Sequence, residues 1–298
     1  MNPALLLLPD FLLILLGFLL VRYSPLDKSV WEGAEKLVYY LLFPALLINA
    51  VNQTRFDWNG TSHMLIVAGL AFGSAIFLGY LSKYLAHHNQ KLWVSGFQTA
   101  FRFNSYIAFA VAGRLFGEEG VALMALTVGC FVPIANAVAV WALAKHSDSH
   151  LLKELAKNPL LVATIFGLGT NLLDWRLPEP VSLSLGRLGS ASIAMGLLAV
   201  GAGLVWIKSK RDGLLIAYWT TVKLLAMPAI AFLAGRYANL PAPQLNNVVL
   251  FAAMPTATSA YVLANRMGGD GAIVAISISI MTIAAAITLP IWVLMLGI

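Results

Sequence analysis

Ten apolar runs follow one another along this 298-residue chain, at 4–21, 34–52, 64–82, 94–113, 120–144, 159–174, 188–206, 214–235, 245–264 and 272–297, each bounded by charges, Pro or Gly. A helix needs about 20 apolar residues to cross the hydrocarbon core of a bilayer. This repetition leaves room for short connections and none for a separate soluble domain. Only 11% of the residues are charged and 60% are hydrophobic; a soluble domain carries about 25% charge, so a soluble enzyme is excluded. Trp31, Trp58, Trp93, Trp175 and Trp206 stand at or just beyond run ends, where an amphipathic ring meets the headgroups. The expected fold class is an all-α polytopic membrane protein. The first run has no basic segment before it, its first cation being Arg22 on the far side, and no small-residue cleavage site after it. It reads as an uncleaved span rather than a secretory signal. The single cysteine, Cys130, permits no intrachain disulfide.

Lys and Arg counted over alternate connections give the orientation. The odd connections hold Arg22, Lys28, Lys36, Lys83, Lys91, Lys145, Lys153, Lys157, Lys208, Lys210, Arg211 and Arg266; the even ones hold Arg55, Arg114, Arg176, Arg187 and Arg236. The excess places the odd connections in the cytoplasm of a cell membrane and, with an even number of spans, both termini outside. Because these cations are scattered among short loops, they suggest no nucleic-acid partner. The longest polar interruption, His146 to Asn158, divides the chain into 1–145 and 159–298, two sets of five spans joined by a cytoplasmic linker. Shifting the chain by 152 residues sets Arg114-Leu-Phe-Gly117 against Arg266-Met-Gly-Gly269, and Phe103-Asn104 against Pro255-Thr256. Spans four and nine thus correspond. Since each set holds an odd number of spans, the two repeats have opposite orientation, as in many transporters.

Signatures of hydrolases, zinc proteases and nucleotide-binding loops are missing, and all five histidines fall in loops or at span ends, leaving no axial ligands for a membrane haem. No cofactor, metal or catalytic residue is expected. Asn52-Gln-Thr54 and Asn59-Gly-Thr61 match the glycosylation pattern by chance. An ionisable side chain inside the membrane is costly and points to function by default. Arg102 lies about eight residues into span four, and Lys223 about nine residues into span eight, or ~14 Å deep at 1.5 Å per residue. Asp10, the one acid clearly within a span, sits near its outer end and reads as interfacial. Two deep cations with almost no acids favour an anionic substrate; the alternative role for each is snorkelling or bonding to a carbonyl.

Polar groups and helix breakers gather in the two matched spans, Gln98-Thr-Ala-Phe-Arg102-Phe-Asn104-Ser105-Tyr106 and Ala253-Met254-Pro255-Thr256-Ala257-Thr258-Ser259-Ala260-Tyr261. A proline inside an apolar helix frees a carbonyl, tolerated only where protein or a water-filled cavity satisfies it. The candidate substrate-binding residues are Arg102, Asn104, Ser105, Tyr106, Pro255, Thr256, Thr258 and Tyr261, with Lys223 and with Asn49, which follows the Phe43-Pro44 break. Gly196, Gly201 and Gly203 in span seven have the composition of a close helix contact.

At these residues the sequence resembles the auxin efflux carrier family, whose bacterial members include permeases associated with malonate and malate. The segments that carry the resemblance are LLFPALLINAV (41–51), FRFNSYIAFAVAGRLFG (101–117), KNPLLVATIFGLGTNLL (157–173), KLLAMPAIAFLAG (223–235) and AAMPTATSAYVLANRMGGD (252–270). The resemblance implies ten helices in two inverted five-helix repeats, helices four and nine broken and crossing, and substrate moved beside the crossing by an elevator-like shift. It implies that Asn104 is the Asn of the family's fourth-helix motif, and it sets Val111 and Ala260 where the plant carriers have prolines. The function expected is a secondary transporter of small organic anions, carboxylates first, with membrane lipids around it and a homodimer as one assembly open to it. Competing readings are a sodium-coupled symporter of the bile-acid type and a membrane sensor that moves no solute. Coupling ions need carboxylates at depth, which this chain nearly lacks, and a sensor needs an output domain, which is not expected here.

Overall fold

The computed structural model describes residues 3–56, 58–86, 89–143, 159–205 and 212–298; the 146–158 linker with His146 and His150, and also His87, His88 and Trp206, lie outside the described residues. Helices make up nearly all of what is described. Helix α1 is Pro3–Tyr23. Helix α2, Lys28–Leu37, is opened by Asp27, whose carboxylate accepts from the Ser29 and Val30 amides. The Ser29 hydroxyl and the Val30 amide hold that carboxyl below its usual range. A π turn, Val38–Leu42, carries the chain into α3, Phe43–Gln53. Then come α4, Trp58–Leu81, α5, Gln90–Phe97, prolonged by a 3-10 turn over Gln98–Ala100, and α6, Ser105–Leu143, which turns at Gly117 with φ 60° and ψ −146°. That positive φ costs glycine nothing and any other residue a clash. The second half holds α7, Pro159–Leu172, α8, Glu179–Gly203, and α9, Gly213–Thr221, joined by the π turn Val222–Ala226 to α10, Met227–Tyr237. It closes with α11, Ala242–Ala253, α12, Ser259–Arg266, and α13, Gly271–Met295.

Seven helical stretches among the described residues are long and apolar enough to cross a membrane: Leu5–Tyr23, Ser29–Gln53, Trp58–Tyr84, Gln90–Leu143, Glu179–Gly203, Gly213–Tyr237 and Gly271–Met295. The chain is therefore a multi-pass membrane protein. The difference from ten runs has local causes. Gln90–Leu143 takes in two runs, α7 is short, and the ninth run is split into α11 and α12.

The chain forms two compact units, one of Met1–Trp58, Tyr106–Pro133 and Leu152–Gly203, the other of Asn59–Ser105, Ile134–Leu151 and Leu204–Ile298. In the first unit, α1 lies against α8 at glycines. A Cβ on Gly17 would run into the Leu198 carbonyl, one on Gly201 into the Ile14 carbonyl, and one on Gly196 into the Tyr106 ring. The span-seven glycines are thus a packing surface, as small residues between membrane helices usually are. Asp10, near the outer end of its span, has a partner that the sequence does not reveal. Asp10 is buried, and its carboxylate accepts two hydrogen bonds from Arg114, from Nε and Nη2, both at 2.9 Å. The C-terminal carbonyls of α3 are closed by the end of α7 and the segment after it. Asn171 Nδ2 donates to Val51 and Thr54 carbonyls at 2.8 and 2.7 Å, and Arg176 donates to the Asn52 carbonyl. Asn52 is itself buried on Thr170 and the Trp175 carbonyl, so it is no glycan acceptor. Trp58 and Trp175 are exposed as expected at run ends, whereas Trp31 is buried and donates to the Leu26 carbonyl.

The second unit is built around an aromatic cluster. Phe103 and Phe251 lie 4.5 Å apart, Phe97 and Phe101 5.0 Å, and Phe72 and Phe101 5.8 Å, between ring centroids. Trp93 belongs to the same cluster, against Tyr80 and Phe97.

Candidate functional site: two helix breaks in the second unit

The second unit contains two interruptions of helix inside apolar sequence, at 101–104 and at 254–258. The latter follows from its proline. Pro255 has no N–H, and steric conflict drives the preceding residue out of the helical region; Met254 accordingly has φ −63° and ψ 139°. Helix α11 stops at Ala253 and α12 starts at Ser259. The earlier break has no proline. Its chain leaves the 3-10 turn at Phe101, φ −129°, and re-enters helix after Asn104, a residue type favoured just before a helix start.

The two breaks hold each other. The Asn104 amide donates to the Pro255 carbonyl at 2.7 Å. Arg102 Nη2 donates to Ser259 Oγ at 2.9 Å, and Gln98 Nε2 donates to the Ala260 and Ser95 carbonyls at 3.3 and 3.2 Å. Backbone groups that would be orphaned in hydrocarbon are thereby paired across the break, which is the condition for non-helical chain at membrane depth. Arg102, Asn104, Pro255 and Thr256 are all buried. The Thr256 hydroxyl and the Gln98 amide oxygen are buried without a hydrogen-bond partner among the described residues. Buried polar atoms in this state call for a water or a ligand.

Lys223 lies in the π turn before Met227-Pro228. It is fully buried, and its ammonium donates to the Ala252 carbonyl at 2.5 Å and to Met227 Sδ at 3.3 Å. Of the roles weighed for it, this is the carbonyl partner. The described acids of this unit are Asp212 and Asp270, each standing immediately before a helix.

The structure thus brings Arg102, Asn104, Pro255 and Thr256 to one locus, with Ser105, Thr258 and Tyr261 on the flanking turns, partly buried. Tyr106 and Asn49 belong to the first unit. There Tyr106 packs against Phe43 at 4.9 Å, and Asn49 Oδ1 accepts from Ser182 Oγ at 2.8 Å. Helix α6 runs unbroken through Val111, and Ala260 lies inside α12, so the breaks fall on other residues than those two. Ser259 and Gln98, which bind across the breaks, are absent from the sequence-derived set. Ser259 could have been found as the first residue after a proline-broken segment.

Many membrane transporters are built with paired breaks of this kind in discontinuous helices. The profile of a family described as membrane transport protein matches residues 145–293. The chain belongs to this family, the one to which its resemblance to auxin efflux carriers points. A Rhizobium meliloti protein named "Putative malonate transporter" is 27% identical over 88% of this chain and 86% of its own length. An uncharacterized transporter of Methanocaldococcus jannaschii is 22% identical over 94% of each chain. The uncharacterized transporter YfdV of Escherichia coli is 21% identical over 96% of this chain and 95% of its own.

Proposed function

We propose that this protein is a secondary transporter of small organic anions, carboxylates above all, working by an elevator-like alternation of its two units. The observation that carries the reading is Arg102, a buried guanidinium held by Ser259 between two hydrogen-bonded helix breaks. A planar guanidinium can grip a carboxylate through two parallel hydrogen bonds. In the same unit, the buried Thr256 hydroxyl is a donor with unused capacity. A dicarboxylate is the substrate class favoured by the name of the Rhizobium meliloti relative.

The reading extends to ten spans in two inverted repeats, 1–145 and 159–298, on either side of a cytoplasmic linker. Shifting the chain by 152 residues lays the 101–104 break onto 253–256, within a residue of the other break. It also lays the positive-φ turn at Gly117, three residues after Arg114, beside that at Gly268, two residues after Arg266. The division into two compact units supplies the two bodies that an elevator motion requires.

A thermal-shift screen of the purified protein against mono- and dicarboxylates tests the substrate class. Ligands that bind only the folded state raise its apparent stability with occupancy. Malonate, malate or a close analogue is expected to raise Tm, whereas uncharged diesters of the same acids leave it unchanged. A screen in which no carboxylate raises Tm, or in which the diesters do so equally, counts against the reading.

A further inference from the structure

Lys223 has a place of its own that anion binding does not use. Helix α11 ends at Ala253, and the last carbonyls of any helix are unpaired and carry the negative end of its dipole. In transporters with broken helices, such half-helix C-terminal carbonyls are where coupling cations are coordinated. Here the Ala252 carbonyl is taken by the Lys223 ammonium at 2.5 Å, in an environment closed to solvent.

The surrounding chain is built to deliver that ammonium. Pro228 contributes no N–H to its helix, and the ladder widens to a π turn over Val222–Ala226, in which the Met227 amide bonds to the Val222 carbonyl. The Leu224 carbonyl, four residues before Pro228, accepts instead from Trp292 Nε1 at 2.9 Å. Met227 turns its sulfur to Lys223 Nζ at 3.3 Å. An ammonium on a flexible stem is a compact point charge with three donors, able to replace a monovalent cation on carbonyl oxygens. The described acids of the unit, Asp212 and Asp270, stand before α9 and α13, with Asp270 occupied in capping Ile273.

We propose that Lys223 is a built-in cation at the α11 break, holding the place of a coupling sodium ion, so that the transporter works without sodium. Removing the side chain leaves a vacancy at the Ala252 carbonyl that takes a small monovalent cation. The inference rests on the transporter class alone and stands or falls separately from the choice of carboxylate as substrate.

Melting curves of detergent-purified protein in sodium chloride and in choline chloride at equal ionic strength provide the test. The wild type is expected to melt at the same temperature in both. Lys223→Ala is expected to melt lower in choline and to recover by a few degrees in sodium, saturably; Lys223→Met, which fills the space, is expected to show no recovery. Equal melting of Lys223→Ala in the two salts overturns the proposal. Should Lys223→Ala not fold, the wild type decides. Sodium-dependent stability or solute exchange in the unaltered protein contradicts a built-in cation, and indifference to sodium supports it.

Discussion

Burying a guanidinium in an apolar unit is expensive unless its donors are used, and Arg102 donates to Ser259. If the guanidinium grips substrate, Arg102→Ala removes charge-assisted hydrogen bonds of about 1.5–3 kcal/mol. At about 1.4 kcal/mol per tenfold, anion affinity should fall by roughly 10- to 100-fold. Lys223→Ala, whose ammonium is occupied by the Ala252 carbonyl, is expected to weaken binding less. Isothermal titration of folded variants with the same carboxylate checks both; unchanged affinity in Arg102→Ala makes that residue structural. Arg102, Asn104 and Thr256 stand out in the bare sequence because polar residues inside an apolar run are rare and costly. Asp10 and Arg114 do not reveal themselves as a pair, since 104 residues separate them and nothing local in either segment specifies the other. The same holds for Arg102 and Ser259, where only the meeting of two distant breaks makes the contact.

Among the elements, those governed by local chemistry follow from sequence. Pro255 dictates where α11 ends through its missing N–H and its effect on Met254. Pro44 and Pro228 each follow a π turn after one intervening residue, a milder accommodation than a break, and the sequence does not distinguish the two outcomes. The interruption at 101–104 has no proline at all. It exists because Pro255 offers a carbonyl to the Asn104 amide, a tertiary cause that propensity cannot register. Glycine composition does predict the close approach of α1 and α8, though not its partners. Gly201→Ala should therefore destabilise the protein by about 1–3 kcal/mol, the usual cost of overpacking, because the added Cβ meets the Ile14 backbone. Gly169→Ala, with nothing within 4 Å of its Cβ, serves as the control and should gain slightly from the better helix former. Thermal melts of the two variants beside the wild type check the contrast; equal losses would show that close packing at Gly201 is not what holds α1.

For the whole molecule, the all-helical membrane class follows from hydrophobic run length alone, while the grouping into two units does not. Each unit draws on three separate stretches of chain, and side-chain complementarity between distant spans decides that grouping. Orientation rests on charge asymmetry. In a Cys130→Ala background, Ser149→Cys in the linker is expected to resist membrane-impermeant thiol reagents in intact cells and to react once the cells are opened. Reaction from outside would invert the topology. The central claim, exchange of carboxylates at a site built around Arg102, is tested most directly by solute counterflow in proteoliposomes loaded with unlabelled malonate and given labelled malonate outside. The account predicts transient, saturable accumulation of label in the wild type, competed by other small carboxylates and lost in Arg102→Ala protein that still melts cooperatively. Absence of counterflow with every carboxylate tried, or undiminished counterflow in Arg102→Ala, would contradict it.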